Sequence, residues 1–256
     1  MTEQLSGIAA TVKGILDDLG ETPEAEARLL EALPALQAAA EDGDLGAQNV
    51  LGGVLLEVEG NPAEAFLWFT RTADRGSPMG KRSLGVLYAN GAGVEKDTKR
   101  AEELFSEAAE LGDPYAKFNL AQIWWGKRDP SEVAGLLRSA AESGILDAFV
   151  VLGDLLSSLD RDEEAFGCYI KAAEGGHDRA MYVVACWYRD GIHVQINKIE
   201  ALMWFFRMLE VGNGDGMHPA IIMARGMTDA DIRRAGELSA HQQDAEALVD
   251  TVRKYR

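Results

Sequence analysis

Met79 to Pro114 reads MGKRSLGVLYANGAGVEKDTKRAEELFSEAAELGDP, and this stretch decides the fold because the chain repeats it. Weaker copies begin near Leu45, Tyr115, Asp147 and Arg179, which gives a period of 32–36 residues. A period of this length is typical of stacked supersecondary units that bury a continuous core between neighbours. The repeat therefore predicts the architecture before any residue is considered for chemistry.

Each copy predicts a first helix with a close contact on one face. A small residue recurs once per copy, and an apolar–small pair such as Leu84–Gly85 follows it by four and five residues. These spacings lie on one helical face, and the small members predict close approach of a second helix. The small-residue column is Ala47, Gly80, Ala116, Ala148 and Ala180.

Each copy also predicts a second helix with a defined start and end. Its N-cap column holds Asn61, Asp97, Asp129, Arg161 and Asn197, and four of these five residues are good helix caps. Its end column holds Gly76, Gly112, Gly144, Gly176 and Gly212. Glycine suits the left-handed residue that often ends a helix. Every copy is thus predicted to form a pair of helices.

The pattern resembles the Sel1-like repeat, a relative of the tetratricopeptide repeat. The copy at 79–114 carries most of the family pattern: Leu84–Gly85, Tyr88, Gly91, Gly93–Val94, Asp97, Arg100–Ala101, Ala108–Ala109 and Gly112. The resemblance implies an all-α fold, a right-handed α-solenoid of stacked antiparallel helix pairs in a tetratricopeptide-like superhelix. It also implies a scaffold or adaptor role and no reaction.

The repeat divides the chain into three predicted regions. Residues 1–44 form an N-terminal helical cap and half repeat, residues 45–214 form five repeats, and residues 215–256 form a partial repeat with C-terminal capping helices. The five repeats are predicted at 45–78, 79–114, 115–146, 147–178 and 179–214.

The charge of the chain limits its partners. The net charge is −17, and residues 1–44 contribute −8 from ten acidic and two basic side chains. Such a chain disfavours nucleic acid, because phosphate would be repelled. The charge favours a basic or neutral partner, and the competing explanation is that it serves solubility.

Membrane and catalytic functions lack a sequence signal. No stretch approaches the roughly 20 continuous apolar residues that span a bilayer, and the N-terminus lacks the features of a secretory signal. We therefore predict a cytoplasmic protein without a membrane association. The four histidines are scattered and the two cysteines form no metal-type pair, so no metal, cofactor or catalytic residue is predicted.

The candidate binding residues lie on the outward face of the first helices, which lines the concave side in this family. Positions two, six and nine residues after the small-residue column lie opposite the core face. Phe118, Trp125 and Tyr182 are the predicted aromatic anchors there. Arg82, Gln122, Asp154 and Arg189 are the predicted polar contacts on the same face. The competing interpretation is that the aromatic residues pack between repeats.

Two functions follow from these patterns. The first is a bacterial-type, non-catalytic adaptor that binds another protein or a peptide in a concave groove. The alternative is an acidic immunity or inhibitor protein that neutralises a basic toxin. A continuous acidic patch favours the inhibitor, whereas dispersed charge favours the adaptor. We exclude an enzyme, since no nucleophile, base and orienting residue can be assembled from this sequence.

Overall fold

The computed structural model describes residues 7–20, 22 and 24–255, and these residues confirm the all-α fold. They form fifteen α-helices and one 3-10 helix, with no β-strand in the described part. The chain divides into two compact units, Met1–Asp129 and Pro130–Arg256, called unit 1 and unit 2 below.

Unit 1 is a stack of seven described helices in which each helix packs against the next. Short loops join them, so consecutive helices run antiparallel. The helices are α1 (Gly7–Asp17), α2 (Ala25–Glu41), α3 (Leu45–Glu57), α4 (Pro62–Asp74), α5 (Pro78–Asn90), α6 (Thr98–Glu110) and α7 (Pro114–Trp124).

Within unit 2, the first five helices also pack each against the next, and three further helices follow them. Its first five helices are α8 (Pro130–Glu142), α9 (Leu146–Ser157), α10 (Asp162–Glu174), α11 (Asp178–Asp190) and α12 (Lys198–Arg207). A 3-10 helix (Met208–Val211) extends α12, and α13 (Met217–Ala224), α14 (Asp229–Leu238) and α15 (Gln242–Arg253) follow. Helices α13 and α14 pack against α12, and α15 packs against α13 and α14.

Three of the five predicted caps are confirmed at the starts of second helices. The side chains of Asn61, Asp97 and Asn197 each accept a hydrogen bond from the backbone N–H three residues later. Arg161 makes no such bond, because its side chain has no acceptor. The first helices have caps that the sequence analysis did not identify: Asp44, Ser77, Asp113 and His177. Each accepts from the backbone N–H of the small-residue column.

The glycines of the repeat have two separate structural roles. The five glycines of the predicted end column all have positive φ, between 73° and 96°, as a left-handed helix end requires. A glycine such as Gly85 instead lies against an aromatic ring, and a Cβ there would be 2.8 Å from Cε1 of Phe105. The prediction of close helix approach at this column is therefore confirmed.

A buried polar cluster joins three helices of unit 1. Asn49 on α3 is 3% exposed and donates from Nδ2 to the Ser77 hydroxyl over 2.9 Å. Its Oδ1 accepts from the Thr72 hydroxyl of α4 over 2.8 Å. Ser77 caps α5, so this cluster fixes α3, α4 and α5 together.

Candidate functional site

Unit 1 has two adjoining cavities along the outward face of its first helices. One has a volume of about 370 Å³ between α5 and α7, and the other has about 350 Å³ between α1, α3 and α5. Both are lined by Val86, so we call them together the unit 1 groove. The first cavity is lined by Val86, Ala89, Asn90, Phe105, Asn119, Gln122 and Ile123.

Three amide side chains in the groove have no partner within the described chain. Asn90 lies at the end of α5, and Asn119 and Gln122 lie on α7. None of the hydrogen bonds between described residues involves these three side chains, whereas the neighbouring wall contains the buried ring of Phe105. Each amide can donate through its NH2 group and accept through its oxygen. The groove thus offers uncharged donors and acceptors above an apolar floor.

The predicted residues of unit 1 have different surroundings. Gln122 lines the first cavity and Arg82 lines the second. Arg82 already has a partner, since its Nε donates to Asp113 over 3.2 Å and its guanidinium lies over the Tyr115 ring. Phe118 is half-buried on α7.

Trp125 is the last residue that keeps the helical spacing of α7. Helix α7 ends at Trp124, and Trp125 is its C-cap residue with φ −52° and ψ 124°. Its backbone N–H donates to the Ala121 carbonyl over 3.0 Å, so the helical spacing extends to Trp125, although it does not line either cavity of the unit 1 groove. Its side chain is 37% exposed.

In unit 2 the predicted polar residues already have partners. Asp154 accepts a hydrogen bond from the Tyr169 hydroxyl over 2.7 Å and from Arg179 Nη2 over 2.8 Å. Arg189 donates through Nε and Nη2 to the two carboxylate oxygens of Asp190, and this pair raises the pKa of Arg189 and lowers that of Asp190. These two predicted side chains are less available to a ligand than the sequence indicated.

Tyr182 lies between two cavities of unit 2 and is 37% exposed. Its ring packs against Phe205 in an edge-to-face arrangement, with ring centroids 5.9 Å apart. One cavity, of about 490 Å³, contains Asp178 and Asn213, which the sequence analysis did not identify. Asn213 donates to Asp178 over 2.7 Å, and this hydrogen bond is the main cause of the lowered pKa of Asp178.

The second cavity of unit 2 brings two predicted residues together with residues from later in the chain. It has a volume of about 400 Å³ and contains Tyr182 and Arg189 beside Lys198 and His218. The sequence analysis missed Lys198 and His218, because α12 and α13 reach this place only through tertiary packing. The position of Lys198 directly after the Asn197 cap, at the start of a helix, is the sequence feature that could have identified it.

The described residues provide no site for a metal or a membrane. No group of three or more histidine, cysteine, aspartate or glutamate side chains is placed to hold a metal ion within them. None of the described helices is long and apolar enough to cross a membrane. Cys168 and Cys186 are free and half-buried, and burial raises the pKa of both thiols.

Solved structures share this fold over almost the whole chain. The protective antigen c5321 of uropathogenic Escherichia coli, described as having an SLR fold, superposes with a TM-score of 0.74 and 25% identity over 98% of this chain and 56% of its own. A Sel1 repeat protein from Oxalobacter formigenes gives a TM-score of 0.66 and 25% identity over 96% of this chain and 100% of its own.

Curated relatives match a part of their own length. The ERAD-associated E3 ubiquitin-protein ligase component HRD3A of Arabidopsis thaliana is 34% identical over 80% of this chain and 28% of its own. The DAP3-binding cell death enhancer 1 of Rattus norvegicus is 28% identical over 66% of this chain and 33% of its own. The chain therefore spans a third or less of these two relatives.

The family model of the Sel1 repeat matches residues 45–77, 79–113, 155–177 and 178–213. It does not match the predicted repeat at 115–146, and that repeat stays a prediction, as do the other region boundaries. Sel1 and tetratricopeptide-like repeats are generally protein–protein interaction modules and are typically non-catalytic. The matched repeats and the shared fold show that the chain is a Sel1 repeat protein.

Proposed function

We propose that the chain is a non-catalytic adaptor that binds an extended segment of another protein in the unit 1 groove. The observation that carries this proposal is the set of three amides without partners, Asn90, Asn119 and Gln122, which line one cavity. Side-chain amides can pair with peptide N–H and C=O groups at the same time. A segment in extended conformation exposes such groups, because it makes no hydrogen bonds of its own.

The apolar part of the groove supplies the favourable energy in this proposal. Val86 and Ile123 are half-buried and lie beside the ring of Phe105. A ligand side chain that covers them removes apolar surface from water, at about 25 cal/mol per Å². The amides then orient the bound segment, since a polar group buried without a hydrogen bond costs about 1–3 kcal/mol.

We also propose that the protein is cytoplasmic. The charge of the chain favours a basic or neutral partner. The net charge of −17 attracts basic segments at long range and raises association rates. The same charge supports the second candidate, an acidic inhibitor of a basic toxin. That candidate would use exposed acidic residues, such as Glu163 and Glu164 at the start of α10, rather than the groove.

Affinity capture with matched variants tests the groove. The triple variant N90A/N119A/Q122A removes the amides, and the control Q37A removes an exposed amide of α2 in the same unit. We expect the control to capture the same proteins as the parent chain. We expect the triple variant to capture at least tenfold less of them. The captured protein is then purified and its Kd measured with each form. Equal Kd values for the parent and the triple variant would refute the groove.

Salt dependence separates the two candidates. For the inhibitor, we expect binding that survives the triple change and weakens steeply with ionic strength, because exposed charges are screened within about 10 Å at 0.1 M salt. For the adaptor, the loss in the triple variant persists at every salt concentration. Helical circular dichroism of all forms controls for folding.

A further inference from the structure

The second cavity of unit 2, called the α11–α13 cavity here, combines basic and apolar groups. Its volume is about 400 Å³, and its described lining contains no acidic residue, in a chain with 42 acidic and 25 basic side chains. The lining consists of Tyr182, Arg189, Lys198, His218, Pro219, Ile222 and Met223. Three elements, α11, α12 and α13, contribute to it.

Lys198 is the free cation of this cavity. It is the first residue of α12, it is exposed, and it forms no ion pair with any described residue. The start of a ten-residue helix adds a favourable potential for an anion near it. Arg189 uses Nε and Nη2 for Asp190, and its remaining N–H groups are available. The side chain of exposed His218 likewise bonds to none of the described residues.

The lining of the cavity also contains apolar side chains. Ile222 is 56% exposed, and it lies in the same lining as buried Met223 and half-buried Pro219. Exposed Ile222 and Lys198 line the same cavity, so a ligand there can meet an apolar surface and a positive charge. The ligand that satisfies both carries a negative group and an apolar group a few bonds apart.

We propose that the α11–α13 cavity binds the C-terminal residue of a partner polypeptide whose last side chain is apolar. The carboxylate meets Lys198 and the free N–H groups of Arg189, and the side chain covers Ile222 and Met223. A C-terminal residue carries both groups on one Cα atom, which suits a cavity at the small end of the usual range for ligand sites. In an acidic side chain the carboxylate stands apart from any apolar group, so it would use one wall of the cavity and leave Ile222 exposed.

The proposed cavity is independent of the unit 1 groove. It involves residues of unit 2 alone, and it would stand if no peptide bound in the groove. Loss of binding in the N90A/N119A/Q122A variant therefore tests the groove and leaves the cavity unaffected.

Methyl NMR of the full chain, labelled at isoleucine and methionine methyl groups, tests the cavity directly. The probes are N-acetyl-Ala-Leu with a free carboxylate, the same dipeptide as its carboxamide, and N-acetyl-Leu-Glu-carboxamide. We expect the free carboxylate to shift the Ile222 and Met223 signals saturably, and the other two probes to bind at least tenfold more weakly. Unshifted signals at roughly 10 mM free carboxylate, where a millimolar Kd would be detected, would refute the proposal.

Variants of Lys198 complete the test. We expect Lys198→Ala and Lys198→Gln each to weaken binding of the free-carboxylate probe at least tenfold, to the affinity of the carboxamide probe. Lys127→Ala is the matched control, because Lys127 is also an exposed lysine without an ion pair among the described residues. Unchanged methyl signals elsewhere show that each variant is folded. Binding that survives both Lys198 changes overturns the site, and equal binding of the glutamate carboxamide overturns its assignment to a C-terminus.

Discussion

The same substitution, glycine to alanine, should have opposite effects at two positions of one helix pair. Gly153 on α9 lies against the Tyr169 ring of α10, and a Cβ at Gly153 would be 2.8 Å from Cε1 and 2.9 Å from Cζ. Gly167 on α10 is exposed, and a Cβ there would have no atom within 4 Å. Neither glycine has positive φ, so alanine fits the backbone at both positions.

The structure gives the sign and size of each effect. At Gly167 the gain is that of alanine over glycine in a helix, about 0.5–1 kcal/mol. At Gly153 the same gain is opposed by about 1–3 kcal/mol of overpacking, because the ring must move. Its movement also disturbs the 2.7 Å hydrogen bond from the Tyr169 hydroxyl to Asp154, which is worth about 1 kcal/mol. We therefore expect Gly153→Ala to cost about 1–3 kcal/mol.

Urea unfolding followed by circular dichroism measures both variants. With a slope of roughly 2 kcal/mol per M, a loss of 2 kcal/mol lowers the midpoint by about 1 M. Hydrogen exchange of the α9 and α10 amides localises the change if the two units unfold separately. A Gly153→Ala protein as stable as the parent, or a destabilised Gly167→Ala protein, would contradict the close-packing argument.

Three further predictions concern single side chains. Asn49→Ala loses both buried hydrogen bonds of its side chain and should destabilise unit 1 by about 2 kcal/mol in urea; a change below about 0.5 kcal/mol would disagree. His193 has a φ of 54°, and its Nε2 lies 2.9 Å from Asp162. Both His193→Ala and His193→Gly lose this contact, but only alanine keeps the backbone strain, so we expect His193→Ala to be about 1 kcal/mol less stable than His193→Gly. Equal stability of the two variants would exclude strain at this position. Burial raises the pKa of Cys168 and Cys186, so fewer thiolates form at a given pH. We expect iodoacetamide at pH 8 to label both cysteines more slowly in the folded chain than in the urea-unfolded chain, as measured by mass spectrometry. Equal labelling rates would contradict this prediction.

The fold could be predicted from sequence because each helix pair repeats its local signals. Asn61 and Asp97 mark starts of second helices, and Gly76 and Gly112 mark their ends, all by local backbone chemistry. Local signals were missed where the capping residue lies outside the aligned columns, as with Ser77 before α5. His193 also follows the pattern, since it aligns with Gly93 of the copy at 79–114 and shares its positive φ.

The candidate sites were less predictable because side-chain availability depends on tertiary partners. Helical spacing placed Arg82 and Asp154 on an outward face, but Asp113 and Arg179 already pair with them. Spacing also does not decide which residues line a cavity, since Trp125 keeps the helical spacing but does not line the unit 1 groove. No spacing rule could have placed Lys198 on α12 beside α13, because the contact joins separate helices.

Whether a side chain already bonds to another residue is therefore a better guide to function in this repeat than its helical spacing. Residues such as Gly153 and Ser77 are engaged in close packing and capping, and a ligand cannot use them without loss of the fold. Asn119, Gln122 and Lys198 have no such role, and they line cavities without partners among the described residues. Their replacement should leave stability nearly unchanged, since surface changes of this kind fall within about 0.5 kcal/mol. A variant that loses binding while it keeps its urea midpoint would then report on a site and not on the scaffold.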